Sequence, residues 1–485
     1  MGYDGFMRER WIMKVVIKSE RGIALPTTIM IMLITFTLAS IVLSLTDSQV
    51  KTEIMYESSS KAIHAAEAGI HVYLWSVNKE SASVELDTVV KYPDVNPEYA
   101  YILHEITNTS SEKTVKSTGW LLHSPDIKQT ITVTLKKRSF TNHVYFTDEE
   151  PEAVYWTTGE NCYGPYRTNS NLYISGAPNF HGEVYYVQNI VRDPNRTYNP
   201  YFRFGATKTT RMDLPNSNNE LKTLAQTGGY YIEGRTSIMM NDNGTITIWN
   251  PKGKNPQNKS SAYTCALPAN GVIYVNDSGS GSSNRFNENA GNVFISGTLK
   301  GRLTVASSRD IYITDYNPTI SNFNTALSSP TNGVQYKDVK FRFNNSEKRF
   351  DIEGTGDDML GLIAQHNVIV LTKGWFDNNN RESGRGDINV HAAVMAIEGK
   401  FMNSNPDEFP YSSSNPTGGA NLIVRGAIIQ KERGMVGMFY SNSWGNITKV
   451  TGYNKDYAHD IRMENEQPPN FLEPEKSGWE VVTWK

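Results

Sequence analysis

Twenty-five consecutive residues, Gly22–Thr46, carry no charged side chain in a chain of 485 residues. Wound as a helix at about 1.5 Å per residue, the run GIALPTTIMIMLITFTLASIVLSLT is long enough to cross a hydrocarbon layer about 30 Å thick. It predicts a transmembrane helix over 23–46, preceded by a basic leader over 1–22. The leader holds Arg8, Arg10, Lys14, Lys18 and Arg21 against Asp4, Glu9 and Glu20, whereas 47–67 holds Lys51 and Lys61 against Asp47, Glu53, Glu57 and Glu67. Short basic flanks stay cytoplasmic. The expected location is therefore the cell membrane, single-pass, with a cytoplasmic N-terminus and an exported remainder. A cleaved secretory signal competes with this reading, but the run exceeds an ordinary signal core and no A-x-A site precedes Asp47. Met13 is a second candidate start.

Beyond the span, Gly, Asn, Ser, Thr and Tyr are plentiful and helix formers become scarce after residue 80, which favours strands and turns. A net charge of -3 and a pI near 6.3 exclude nucleic acid as an expected partner, because phosphate-binding faces need a basic excess. The helix is expected to continue over 47–80. Ala62, Ala65, Ala66, Gly69, Val72 and Tyr73 recur at three- and four-residue intervals and form a small-residue packing face. An antiparallel meander over 81–138 follows, with alternation at Tyr99–Leu103, Thr114–Leu122 and Thr130–Leu135. The two cysteines, Cys162 and Cys265, would be exported, so a disulfide is possible; spacing does not fix it, and two free thiols fit equally.

Arg21-Gly22 abutting the apolar run, with Ala65-Ala66-Glu67-Ala68-Gly69 near the helix end, resembles the N-terminus of PilX-type minor pilins and related type IV pilus or type II secretion pseudopilins. The likeness covers about 18–75, and the meander agrees in architecture. It implies an α+β pilin-like unit, prepilin peptidase cleavage between Gly22 and Ile23, and other pilins or pseudopilins as partners. Major pilins usually have Glu at the fifth mature position; here that position is Thr27, which points to a minor subunit. Pro26 at the fourth position is compatible with a first helical turn.

From 139 to 452 the pattern changes to short strands opened by turn residues, as in Asn171–Gly176, Gly271–Val275, Asn292–Gly297, Asp310–Thr314, Asn367–Val370, Asp387–His391 and Asn421–Gly426. Irregular spacing of this kind predicts a mainly β domain built as a parallel β-helix, with a β-sandwich as the alternative. The stretch from Tyr145-Phe146-Thr147 through Gly164 and Asn169 to Gly182 is similar to an uncharacterised exported domain that often follows PilX-like N-termini; no activity is implied. The segment 453–485, with Pro468, Pro469 and Pro474, reads as an extended C-terminal cap.

Candidate chemistry is sparse. Asp357 and Asp358 could share acid and base roles in glycoside cleavage, but no Gly-His-Gly or Arg-x-Lys follows, and adjacent Asp residues in a Gly-rich turn usually shape the turn. Gly229–Gly234 with Arg235 and Thr236 lacks the lysine and small residues of a phosphate loop. His64 and His71 are seven apart on one helix, too far for one ion, so no metal, cofactor or catalytic residue is assigned. Trp156, Tyr163, Tyr166 and Tyr173 form an aromatic cluster that suits either glycan binding or core stacking. The expected function is non-enzymatic: pilus assembly through the helix, with a β domain for surface binding or adhesion. A membrane-tethered polysaccharide-binding or polysaccharide-cleaving β-helix protein is the alternative, and an envelope protein using the helix as a plain anchor is a third.

Overall fold

The computed structural model describes residues 24–79, 84–108, 112–137, 139–152, 154–279, 284–320, 330–371, 386–404, 420–441, 447–474 and 478–485. It has one long apolar N-terminal helix followed by a large, mostly β region. The chain divides into two units, 1–137 with 478–485, and 138–477.

In the first unit, helix α1 (Ala24–Asn78) spans 55 residues, about 82 Å at the α-helical rise. Strands β1 (Val89–Tyr92), β2 (Tyr99–Asn108), β3 (Glu112–Leu121) and β4 (Ser124–Lys137) form an antiparallel meander. The fifth strand of this sheet comes from the far end of the sequence: Trp479–Trp484 pairs antiparallel with β4, Lys137 facing Trp479. The second unit is thus an insertion between two neighbouring strands of the first, and within 453–485, expected as an extended cap, Trp479–Trp484 is a paired strand. Strand Ile447–His459 carries Tyr453–His459 into the second unit's sheet, while Trp479 closes the core formed by Ile70, Tyr73, Leu103, Val115 and Val133. A six-residue apolar strand after a proline-rich stretch gives no local sign of a partner more than 340 residues earlier.

The second unit is built from parallel rows. In one row the strands Tyr230–Glu233, Val272–Asn276, Arg302–Ser307, Met359–Ala364, Ile388–Ala396, Ala420–Glu432, Tyr145–Glu149, Tyr166–Thr168, Val184–Tyr186 and Ala206–Lys208 follow one another, each neighbour parallel. A second parallel row runs beside it through Val293–Leu299, Gly333–Tyr336, Ile388–Ala396, Ala420–Glu432, Ile447–His459, Asn161–Tyr163, Asn179–Phe180 and Tyr201–Phe202. The chain enters this stack in its middle at Tyr145, builds outward to Lys208, and resumes at the opposite end at Tyr230. At about 4.8 Å per step, the return from Lys208 to Tyr230 covers roughly 43 Å.

Segment 209–229, including helix α2 (Asn219–Gly228), makes that return along the outside of the first row. Asn169 Oδ1 accepts from Met212 N–H at 3.0 Å, and Asn218 Nδ2 donates to Ser307 O at 2.7 Å. Leu221 and Ala225 then cover Val272 and Tyr274. The C-terminal segment lies along the same face, where Thr304 donates to Pro469 O and Phe471 and Leu472 join the outer apolar layer. An inner layer of Ile, Val and aromatic side chains, among them Ile273, Val305, Leu362, Val394, Ile428 and Tyr166, fills the stack. Burial on both faces explains why these strands read as short continuous apolar runs rather than strict alternations.

Candidate assembly surface

Helix α1 changes character at about Tyr56. From Leu25 to Tyr56 its large apolar side chains are exposed all round, with Leu25 at 72 %, Phe36 at 72 % and Leu43 at 70 %. This stretch is long and apolar enough to cross a membrane, with a best-window mean hydropathy of 2.3 and none of that window buried. Threonine hydroxyls are satisfied within the helix: Thr35 donates to Ile31 O at 2.9 Å, Thr37 to Leu33 O at 2.9 Å and Thr46 to Val42 O at 2.8 Å. Such back-bonding removes the desolvation cost of a hydroxyl in an apolar medium.

From Ser58 onward one face is buried, with Ala62, Ala65, Ala66, Ile70 and Tyr73 at 1 % exposure or less and Gly69 also buried. The small residues predicted as a packing face are therefore packed on the chain's own sheet. Gly119 on β3 sits directly against the helix: a Cβ there would lie 2.2 Å from Ala66 N and 2.6 Å from Ala62 O. Gly69 fits the same interface from the helix side, next to Ser117 and Tyr101. Val72 departs from the expected stripe at 40 % exposure, and Ile70 takes the buried position instead. At 100° per residue, position 70 is nearer the centre of the 62–66–73 face than position 72. The processing pair Gly22 and Ile23 and the leader lie outside the described residues.

In the second unit, the sites suggested by sequence turn inward. Asp358 is 1 % exposed and accepts the N–H groups of Gly301 at 2.7 Å and Asp338 at 2.6 Å. A carboxylate so engaged anchors a turn, and its exposed neighbour Asp357 forms no ion pair among the described residues, so the two are not set as an acid–base pair. Trp156 and Tyr166 are fully buried and Tyr173 nearly so; Tyr163 is half-buried, stacked on His181 at 4.8 Å. Trp156 and Tyr166 line the interior around an ion pair, Glu150 with Arg433 at 3.1 Å, at 0 % and 1 % side-chain exposure. Tyr166 donates to Glu150 at 2.8 Å, and the Arg433 guanidinium lies 4.8 Å from the Trp156 ring centre. Burial raises the Glu150 carboxyl, and Arg433 opposes that shift. Sequence reasoning missed this pair because Glu150 and Arg433 are 283 residues apart.

Cys162 and Cys265 are free thiols, the first inside the core and the second half-buried on another strand, so the disulfide left open by the sequence is not formed. Burial pushes the Cys162 thiol up, away from its reactive form. A polar cleft of about 380 Å³ lies beside the return segment, lined by Asp148, Arg211, Asp213, Asn216, Glu398 and Lys431. Its charges are spent on each other, with Asp148 held by Lys431 at 2.5 Å and Arg211 at 2.6 Å. The glycines around Tyr230–Glu233 flank a strand rather than a loop. Among the described residues no three His, Cys, Asp or Glu side chains converge.

No family model and no curated protein matches the chain. Among solved structures, the chain is similar to the competence-associated pilin ComZ from Thermus thermophilus at 12 % identity, covering 88 % of this chain and 97 % of that one, with a TM-score of 0.26.

Proposed function

We propose that this chain is a membrane-anchored minor pilin or pseudopilin of the PilX kind, which enters a type IV pilus or related filament through α1 and exports the inserted β unit for surface binding or adhesion. The observation that carries this reading is the division of α1 at Tyr56. Its apolar half exposes its large side chains all round among the described residues, while the small-residue half is already occupied by the sheet. A helix apolar on every side needs lipid or other helices around it. The same segment would serve first as anchor, with the N-terminus cytoplasmic, and then as the filament-forming element. Prepilin peptidase would cut between Gly22 and Ile23, and Thr27 would make the product a minor rather than a bulk subunit.

The inserted unit is read here as a parallel β-helix. Support comes from its two long rows of parallel pairings, since β-sandwich sheets are antiparallel. We assign it no catalytic role, because Asp358 is committed to two backbone N–H groups. The test is to express the full chain with the pilus machinery of its host and shear the cells. Recovery of the chain with sheared filaments is expected; retention in the membrane fraction, with filaments free of it, would reject the assembly role.

A further inference from the structure

The two ends of the stack are finished differently. At the Tyr230 end, segment 241–266 folds over the last strands. Strand Thr245–Trp249 pairs antiparallel with Thr236–Met240, Asn250 Nδ2 donates to Glu233 O at 3.0 Å, and Ile246, Ile248 and Tyr263 cover the core. At the other end, formed by 190–208, no described strand follows in the row; the hairpin 340–353 reaches this end only at its side, where Arg203 donates to Ser346 O at 3.3 Å and pairs with Glu347 at 3.7 Å. Among the described residues, strand Ala206–Lys208 pairs only with Val184–Tyr186, and strand Ile190–Arg192 only with Leu172–Ser175. Thr209 N–H bonds to Tyr186 O at 2.9 Å, so by the alternation of a parallel ladder Ala206 and Lys208 turn their N–H and C=O groups outward. The apolar residues closing the core here, Ile190, Tyr198, Phe202 and Ala206, are only half-buried.

This end is also basic. Residues 190–211 hold five Lys and Arg against one Asp, in a chain whose net charge is -3. Arg196, Arg203 and Arg211 are ion-paired with Asp193, Glu347 and Asp148, whereas Arg192, stacked on the Tyr198 ring at 4.1 Å, and Lys208 are exposed and form no ion pair among the described residues. Two such ends brought face to face would repel, which disfavours a second copy of this chain as the cover. Outward backbone groups, incompletely covered apolar side chains and unpaired cations together favour one occupant.

We propose that the open end of the stack accepts an extended segment of a partner protein, alternating apolar residues with carboxylates, as one further strand along Ala206–Lys208. The carboxylates face Arg192 and Lys208, and the apolar side chains complete the cover over Phe202 and Ala206. This rests on the inserted unit alone and stands whether or not α1 enters a filament.

The experiment uses the full chain in detergent micelles and a labelled eight-residue peptide of alternating Val and Glu, read by fluorescence anisotropy and by hydrogen exchange across 201–210. Saturable binding with slowed exchange of the Ala206 and Lys208 amides is expected. Binding should weaken at least tenfold in an Arg192→Glu, Lys208→Glu variant, and be lost when alternate peptide amides are N-methylated. Equal binding of poly-L-glutamate without slowed exchange would overturn the proposal in favour of charge attraction alone. Absence of peptide binding would also overturn it, as would a concentration-dependent dimer of the chain that occludes 201–210.

Discussion

Replacing Gly119 by Ala tests how the helix is held to its sheet. The added Cβ would lie 2.2 Å from Ala66 N, 2.6 Å from Ala62 O and 2.7 Å from Ala65 C. All three are main-chain atoms, so no rotamer change relieves the clash, and the helix must move by about 1 Å to restore ordinary contact. Overpacking typically costs about 1–3 kcal/mol, and a rigid backbone neighbour places this substitution at the upper end. For a unit of this size that corresponds to a melting temperature lower by roughly 6–12 °C. Gly69→Ala supplies the contrast. Its Cβ would meet Ser117 Oγ at 2.5 Å and the Tyr101 ring at 2.8 Å. Those are side-chain atoms, and Ala gains about 1 kcal/mol of helix propensity over Gly. A net change within about 1 kcal/mol is expected. Urea titration of the full chain, read by hydrogen exchange in peptides covering Ala62–Tyr73, separates the two. Wild-type stability in Gly119→Ala, or a larger loss in Gly69→Ala, would refute the close-approach argument.

Further expectations concern the inserted unit. Arg433→Met leaves Glu150 buried without its cation and should cost about 3–5 kcal/mol, with much of the loss recovered by adding Glu150→Gln, measured by urea titration. Asp358→Ala should cost roughly 2–4 kcal/mol by orphaning two backbone N–H groups, while Asp357→Ala should change stability little and neither should alter reducing-end release from a glycan panel. Asp315 Oδ1 is buried without a hydrogen bond among the described residues, and burial lifts its carboxyl from 3.8 to about 6. A raised acid favours the folded state while protonated, so its contribution is whole below about pH 4 and lost as pH rises through 6. Asp315→Asn should therefore stabilise at pH 8 by up to about 3 kcal/mol and have little effect at pH 4, seen as a flatter pH profile in thermal melts. Cys162 should resist alkylation in the folded chain and react only on unfolding, as mass spectrometry of labelled peptides would show.

What the sequence reveals here depends on how local each signal is. The apolar run, the helix beyond it and the three central meander strands are written in residue periodicity, and the structure forms an element at each. Each of the seven short segments between Asn171 and Gly426 also holds a strand. Their order in space is not local: nothing near Lys208 or Tyr230 says that the chain crosses the length of the stack between them. The same holds for Trp479–Trp484, whose partner strand ends at Lys137. Aromatic density at Trp156 and Tyr166 left glycan binding and core stacking open, and both side chains lie in the core. A buried ion pair needs large amphipathic neighbours just as a sugar site does, and only the pairing of Glu150 with the distant Arg433 distinguishes them. Small residues at Ala62, Ala65 and Ala66 likewise signal close approach without saying to what, and Gly119, on a strand, is the missing half of that information.

The most direct test of the account is the mature N-terminus. When the full chain is expressed with a prepilin peptidase and purified from membranes, Edman sequencing should begin at Ile23, with the leader through Gly22 removed. A chain that keeps its leader intact, or that is cut beyond Thr46 and released as a secreted protein, would contradict it.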